Sequence, residues 1–149
     1  MNEKKQYFWY NTNYKRGETM KDKLLKLLEN SYSVYSHFPV AAIVVAKDGR
    51  EFNGVNVEDG SYRAGACAER VAIFSAITAG CRKGDFKEIN IMTSNANKIG
   101  VPCGTCRQMI YEMFEDDDII RCFAKNGDFK EYKVRDLCPE FFGYVDLGE

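Results

Sequence analysis

Two short segments, Cys67-Ala68-Glu69 and Pro102-Cys103-Gly104-Thr105-Cys106, constrain this chain more than anything else in it. Cys103 and Cys106 stand one helical turn apart, so a helix starting there presents both sulfurs to one ion, and Cys67 adds a third from a distant segment. Three protein ligands leave one tetrahedral position for water. Glu69, two residues past its neighbouring ligand, is close enough to exchange protons there without being a ligand itself. Any fold that satisfies both segments must bring two helix starts together. A Cys-x-x-Cys pair alone fits a structural zinc half-site or a redox dithiol as well. A structural site, however, calls for a fourth Cys or His at ligand spacing beside Cys67, and a redox pair explains neither Glu69 nor the proline.

Composition agrees with a compact enzyme. The 149 residues are 45% hydrophobic, enough for one domain with a real core. No apolar run reaches the length of about 18 residues that a membrane span needs, and the amino terminus lacks a charged-then-apolar leader pattern, so a cytoplasmic location is expected. Thiolate ligands require a reducing compartment, so Cys81, Cys122 and Cys138 read as buried small hydrophobes, with no disulfide. A net charge of −1 argues against a broad footprint for phosphate backbones and for a small neutral partner. The first 19 residues differ: Lys4, Lys5, Lys15 and Arg16 alternate with Tyr7, Phe8, Trp9, Tyr10 and Tyr14. That mixture can stack on single-stranded nucleic acid, but the simpler reading is a mobile extension, or one packed on its own or a neighbouring subunit. We therefore divide the chain into an extension, 1–19, and a catalytic domain, 20–149.

Periodicity predicts an amphipathic helix over 20–31, a buried strand over 40–46, and a hairpin turn at 47–50 into a second strand over 51–57. A helix over 67–79 ends at Gly80, a strand covers 89–93, and a third helix covers 103–114 with Pro102 near its start. Strands at 119–124 and 129–134 flank Asn126-Gly127, the strongest hairpin signal in the chain. Asp116-Asp117-Asp118 reads as a solvated loop. In this layout both ligand segments open helices, whose free amides and partial positive charge favour thiolates. Three thiolates on one dication still leave a negative site, so a compensating cation is expected. Arg70 is the candidate, with Arg107 a weaker competitor. His37, the only histidine, lies far from both ligand segments and is not expected to bind the metal.

These residues, with Tyr35-Ser36-His37-Phe38-Pro39-Val40, Asn56-Val57-Glu58, Ser61-Tyr62, Arg107-Gln108 and 137–143, make the chain resemble the small, homotetrameric, three-cysteine cytidine deaminases from about residue 22 to 147. The resemblance implies an α/β fold in three layers, with a mixed five-stranded sheet between helices and a carboxy-terminal β-hairpin. It implies one zinc ion per subunit on Cys67, Cys103 and Cys106, Glu69 as proton shuttle, and Arg70 beside the ligands. It further implies that Asn56 and Glu58 hold a ribose hydroxyl, that Phe38 packs on the pyrimidine, and that the Ala68 main chain contacts the base. Phe142 and the loop from Gly60 to Tyr62 would serve sites of neighbouring subunits. An amide and a carboxylate two residues apart can indeed donate to and accept from one hydroxyl, although without the resemblance Asn56 reads as a turn residue and Glu58 as a solvated strand end.

The chain departs from the family at Asp59-Gly60, where Asn-Ala is usual, at Ala41 in place of a common glycine, and in its doubled Phe141-Phe142. The function implied is hydrolytic deamination of cytidine and 2′-deoxycytidine in pyrimidine salvage. Its rivals are a deaminase for a related aminated nucleoside, a polynucleotide cytidine deaminase, and a non-catalytic zinc-stabilised binding domain. The Asn126-Gly127 hairpin counts against a polynucleotide editor, because such relatives place a helix between the last two strands.

Overall fold

A computed structural model of the chain describes residues 17–148; the basic and aromatic segment at the amino terminus lies almost wholly outside them. The first helix, α1 (Met20–Leu28), is closed at its start by Thr19: Thr19 Oγ1 accepts from the Asp22 amide at 3.2 Å while Asp22 Oδ2 accepts from the Thr19 amide at 3.2 Å. Leu24 and Leu28 form its buried stripe. It stops short of the predicted 31 because Ser31 is drawn away, donating its hydroxyl to Asn56 Oδ1 at 2.5 Å.

Strands β1 (Val40–Ala46), β2 (Glu51–Val55), β3 (Phe86–Thr93), β4 (Ile119–Phe123) and β5 (Phe129–Lys133) form one sheet in the order β2-β1-β3-β4-β5. Only β3 and β4 run parallel, and the crossover between them carries α3 (Gly104–Met113). The sheet is therefore mixed, as expected, and β4–β5 is an antiparallel hairpin. β1 reads as an unbroken apolar run because both its faces are covered: Ala41 and Ile43 meet α1, while Ala42, Val44 and Ala46 meet the core beneath α2 (Ala68–Thr78) and α3. β3 starts three residues before the predicted 89, because Phe86 pairs with Ala46 across an irregularity at Val45/Ala46. Val134, assigned from sequence to the last strand, instead opens a short helix, α4 (Val134–Leu137), and is buried in that core. A 3₁₀ turn at Tyr144–Leu147 has no counterpart in the sequence pattern. In the acidic loop, Asp117 pairs with Lys133 and Arg135, and Asp118 Oδ2 accepts from the Glu115 amide at 2.8 Å.

The seat of α2 on the sheet fixes where Cys67 and Glu69 can stand. A Cβ on Gly54 would lie 2.2 Å from the Ala68 carbonyl oxygen and 2.4 Å from the Ala72 amide. Only glycine lets the helix lie directly on β2.

Candidate active site

Cys67 is the N-cap of α2 and Cys103 the N-cap of α3, and neither side chain caps its own helix. Both thiols are thus free to point at a shared ligand beside two helix amino ends. Cys106 falls on the buried stripe of α3 with Ile110 and Met113. The three sulfurs lie within 4.8 Å of one another, with Cys67 Sγ and Cys103 Sγ 3.9 Å apart. A tetrahedral zinc with Zn–S bonds of about 2.3 Å spans neighbouring sulfurs by about 3.8 Å, so the donor set fits this ion. Cys67, Cys103 and Cys106 are the residues that could hold the zinc.

The trio is strongly polarised. Cys67 is held far below the usual thiol range, at about 5, chiefly by the Cys106 thiol donating to it, with Cys103 and the Arg70 guanidinium adding to the effect. Cys106, which supplies that bond and is buried, is pushed up. Arg70 lies beside the Cys67 and Cys106 sulfurs, its Nε buried and without a hydrogen-bond partner among the described residues. Arg107 does something else. Its Nε donates to the Pro102 carbonyl at 2.8 Å and its Nη1 to the Leu137 carbonyl at 3.2 Å, clamping the approach to Cys103 onto the end of α4.

Glu69 occupies a position that the pattern of α2 reserves for apolar residues, among Ala68, Ala72, Ile73 and Ala76, and is 5% exposed. Burial raises its carboxyl to about 7, with the Cys67 charge pushing the same way. A buried carboxyl that holds a proton near neutrality is suited to taking and returning one. Burial above all, with the Glu69 charge adding to it, pushes Cys122 on β4 up to about 12, which makes it an inert core thiol.

Glu69 forms part of the wall of a cavity of about 420 Å³ that also presents Phe38, Asn56, Glu58, Cys67 and Cys103. Residues far apart in sequence are thus brought together at one cavity. Glu58 Oε2 accepts from the Tyr35 and Ser36 amides at 2.9 and 3.1 Å, and Oε1 accepts from the Ser36 hydroxyl. Led by the Ser36 hydroxyl bond, these contacts hold its carboxyl below the ordinary range. Asn56 Oδ1 accepts from the Ser31 hydroxyl and the Val40 amide, and Nδ2 donates to the Phe38 carbonyl at 2.9 Å. Among these contacts one N–H of Asn56 and one lone pair of Glu58 stay open. Ala68 is the first residue of α2, where an amide has no intrahelical acceptor. The cavity also includes Ser36, Ile91, Thr93 and Val101, which the sequence did not single out. Their only signal is proximity to motifs: Ser36 precedes Phe38 by two, and Val101 precedes the proline.

The remaining candidates lie elsewhere. Tyr62, 75% exposed and at φ 58°, lines a neighbouring cleft of about 230 Å³ with Arg70 and Asp59. Asp59 accepts from the Ser61 amide on one oxygen and the Gly65 amide on the other, each at 2.8 Å. An asparagine has one acceptor oxygen and could not close both ends of this loop, which accounts for the departure there. Gly60 packs beside the Tyr35 ring. Phe142, 60% exposed, borders a separate hollow with Tyr111 and Glu140. His37 is not among the clustered metal ligands.

Residues 15–121 match the model of the cytidine and deoxycytidylate deaminase zinc-binding region. Cytidine deaminase of Sporosarcina psychrophila is 36% identical over 123 residues, 83% of this chain and 88% of that protein. The enzyme of Mycoplasma genitalium is 32% identical over 120 residues, 80% and 90%. The crystal structure of cytidine deaminase from Burkholderia pseudomallei superposes with a TM-score of 0.76 at 36% identity, covering 84% of this chain and all of that one. Three thiols gathered at two helix starts, a buried carboxyl beside them and these likenesses over most of the chain place the protein in the cytidine and deoxycytidylate deaminase family.

Proposed function

We propose that the protein deaminates cytidine and 2′-deoxycytidine to uridine and 2′-deoxyuridine, releasing ammonia. The observation that carries this reading is the shared cavity, in which the proton-holding Glu69 and the Cys67 and Cys103 thiols stand together with Phe38, Asn56 and Glu58. Zinc, when bound, supplies a water activated for nucleophilic attack at neutral pH. Glu69 takes a proton from that water and delivers it to N3 of the pyrimidine as the oxygen bonds to C4. It then passes the second proton to the amino nitrogen, the C4–N4 bond breaks, and ammonia leaves. Arg70 offsets the charge of the thiolates. Phe38 stacks on the base and the Ala68 main chain contacts it, while the open N–H of Asn56 and the open lone pair of Glu58 bracket one ribose hydroxyl.

Phe38, Tyr62 and Phe142 are all exposed, and we read the site as completed in a homotetramer, with Phe142 and the Gly60–Tyr62 loop serving neighbouring pockets. No helix among the described residues is long and apolar enough to cross a membrane, which is compatible with a cytoplasmic salvage role. The test is ammonia release from cytidine, 2′-deoxycytidine, cytosine and a cytosine-containing oligonucleotide, using zinc-loaded protein. Turnover of both nucleosides is expected. Activity confined to the oligonucleotide, or none, would overturn the reading.

A further inference from the structure

Ser36 lies on the cavity wall yet has no role in that chemistry, and its hydroxyl is bonded on both sides. It donates to Glu58 Oε1 and accepts from the Phe38 amide at 3.1 Å. Between the two, the His37 amide donates to the Ser33 carbonyl at 2.9 Å, and His37 itself takes φ 53°, a conformation that side-chain-bearing residues adopt only when the surroundings hold it. The turn from Ser33 to Phe38 is therefore tied down at both ends, and the Ser36 hydroxyl bonds both the Glu58 carboxylate and the Phe38 amide.

The bonds at Glu58 show what this does. Both lone pairs of Oε2 are taken by backbone amides, and Oε1 has one taken by Ser36. The carboxylate can then accept one further hydrogen bond, in one direction. Asn56, held through Ser31, Val40 and Phe38, has one donor left. A hydroxyl that donates to Glu58 and accepts from Asn56 satisfies both. Without the Ser36 hydroxyl, Oε1 has two free lone pairs and the Phe38 amide loses its acceptor, so Glu58 gains freedom while Phe38 keeps the bond from Asn56 Nδ2 to its carbonyl but loses the one at its amide.

We infer that Ser36 is a positioning residue for sugar recognition, coupling the orientation of Glu58 to the placement of the Phe38 ring. This rests on the nucleoside deaminase reading and deepens it. Kinetics of Ser36→Ala and Ser36→Thr on cytidine and on 3′-deoxycytidine, which lacks one of the ribose hydroxyls, test it. Ser36→Ala should raise KM for cytidine about tenfold, the scale of one hydrogen bond to a charged group, with kcat and zinc content little changed. The loss should be smaller on 3′-deoxycytidine, so that the preference between the two narrows, and Ser36→Thr should restore it. In a Glu58→Gln background, Ser36→Ala should narrow the preference no further. Equal losses on both substrates, or a Ser36→Thr protein no better than Ser36→Ala, would reduce Ser36 to a loop contact and overturn the inference. Glu58→Gln on its own separates the two levels: if it leaves the preference intact, the sugar role of Glu58 fails and takes the inference with it. If it abolishes the preference while Ser36→Ala does not, only the inference fails.

Discussion

The thiol cluster and the group of residues to which we assign the sugar are built on different plans. On the metal side each group is held by regular structure: two N-caps, one buried helical stripe, and a carboxyl 5% exposed on a helix laid directly on the sheet. On the sugar side the groups stand on turns and are held by hydrogen bonds, and the aromatic ring of Phe38 is 39% exposed. Chemistry needs fixed distances between a few atoms, which rigid elements supply. Recognition needs enclosure, which under the proposed homotetramer neighbouring chains supply.

The largest effect should come from breaking the metal side. Cys106→Ala removes a buried ligand that ties α3 to α2, two helices distant in sequence. The protein should lose stoichiometric zinc and all measurable turnover. Its apparent stability should fall by about 4 kcal/mol, the linkage contribution at a metal concentration of roughly a thousand times Kd, which corresponds to ~10 °C in Tm for a domain of this size. Metal analysis and thermal unfolding check both. A stable, fully zinc-loaded variant would require a different ligand set. Glu69→Gln comes next, because it separates proton transfer from metal binding. Zinc and fold should persist while kcat drops roughly 10²–10⁴-fold, the range for a lost acid–base group. Retention within tenfold would show that the buried carboxyl is not the shuttle.

The same contrast governs what the sequence made legible. Cys67, Glu69, Cys103 and Cys106 announce themselves because ligand spacing and helix periodicity are local, so the metal side can be drawn from two short segments. The sheet follows from apolar runs and the Asn126-Gly127 turn, with boundaries displaced at Phe86 and Val134, and with β2 ending at Val55 instead of the predicted 57. The sugar side is assembled from turns that interlock across the chain. Ser31 bonding Asn56 and Ser36 bonding Glu58 are pairings more than twenty residues apart, with no pattern in composition or spacing to signal them. Arg107, from sequence the weaker of two candidates for a charge role beside the thiols, donates to the Pro102 and Leu137 carbonyls, bonds that adjacency to Cys106 does not signal.

The smallest effect, and the sharpest test of the contrast, concerns Phe142. The ring stands apart from the cavity that holds Glu69, in a separate hollow beside Tyr111 of α3, and the Gln108 side chain fixes its carbonyl at 2.6 Å. If it completes a neighbour's pocket, Phe142→Ala should raise KM and weaken a transition-state analogue by roughly 1–3 kcal/mol, the scale of one aromatic stack on a base, with zinc unchanged. Mixing makes the result decisive. In hetero-oligomers of Phe142→Ala chains with Glu69→Gln chains, shared sites generate some pockets carrying both lesions and some carrying neither. Turnover at low cytidine should therefore rise above either parent. Pockets built from one chain alone would give only the average of the two parents. A monomer with full activity at assay concentration would remove the shared-site reading altogether, and unaltered kinetics of Phe142→Ala in a confirmed tetramer would leave the ring no part in any pocket.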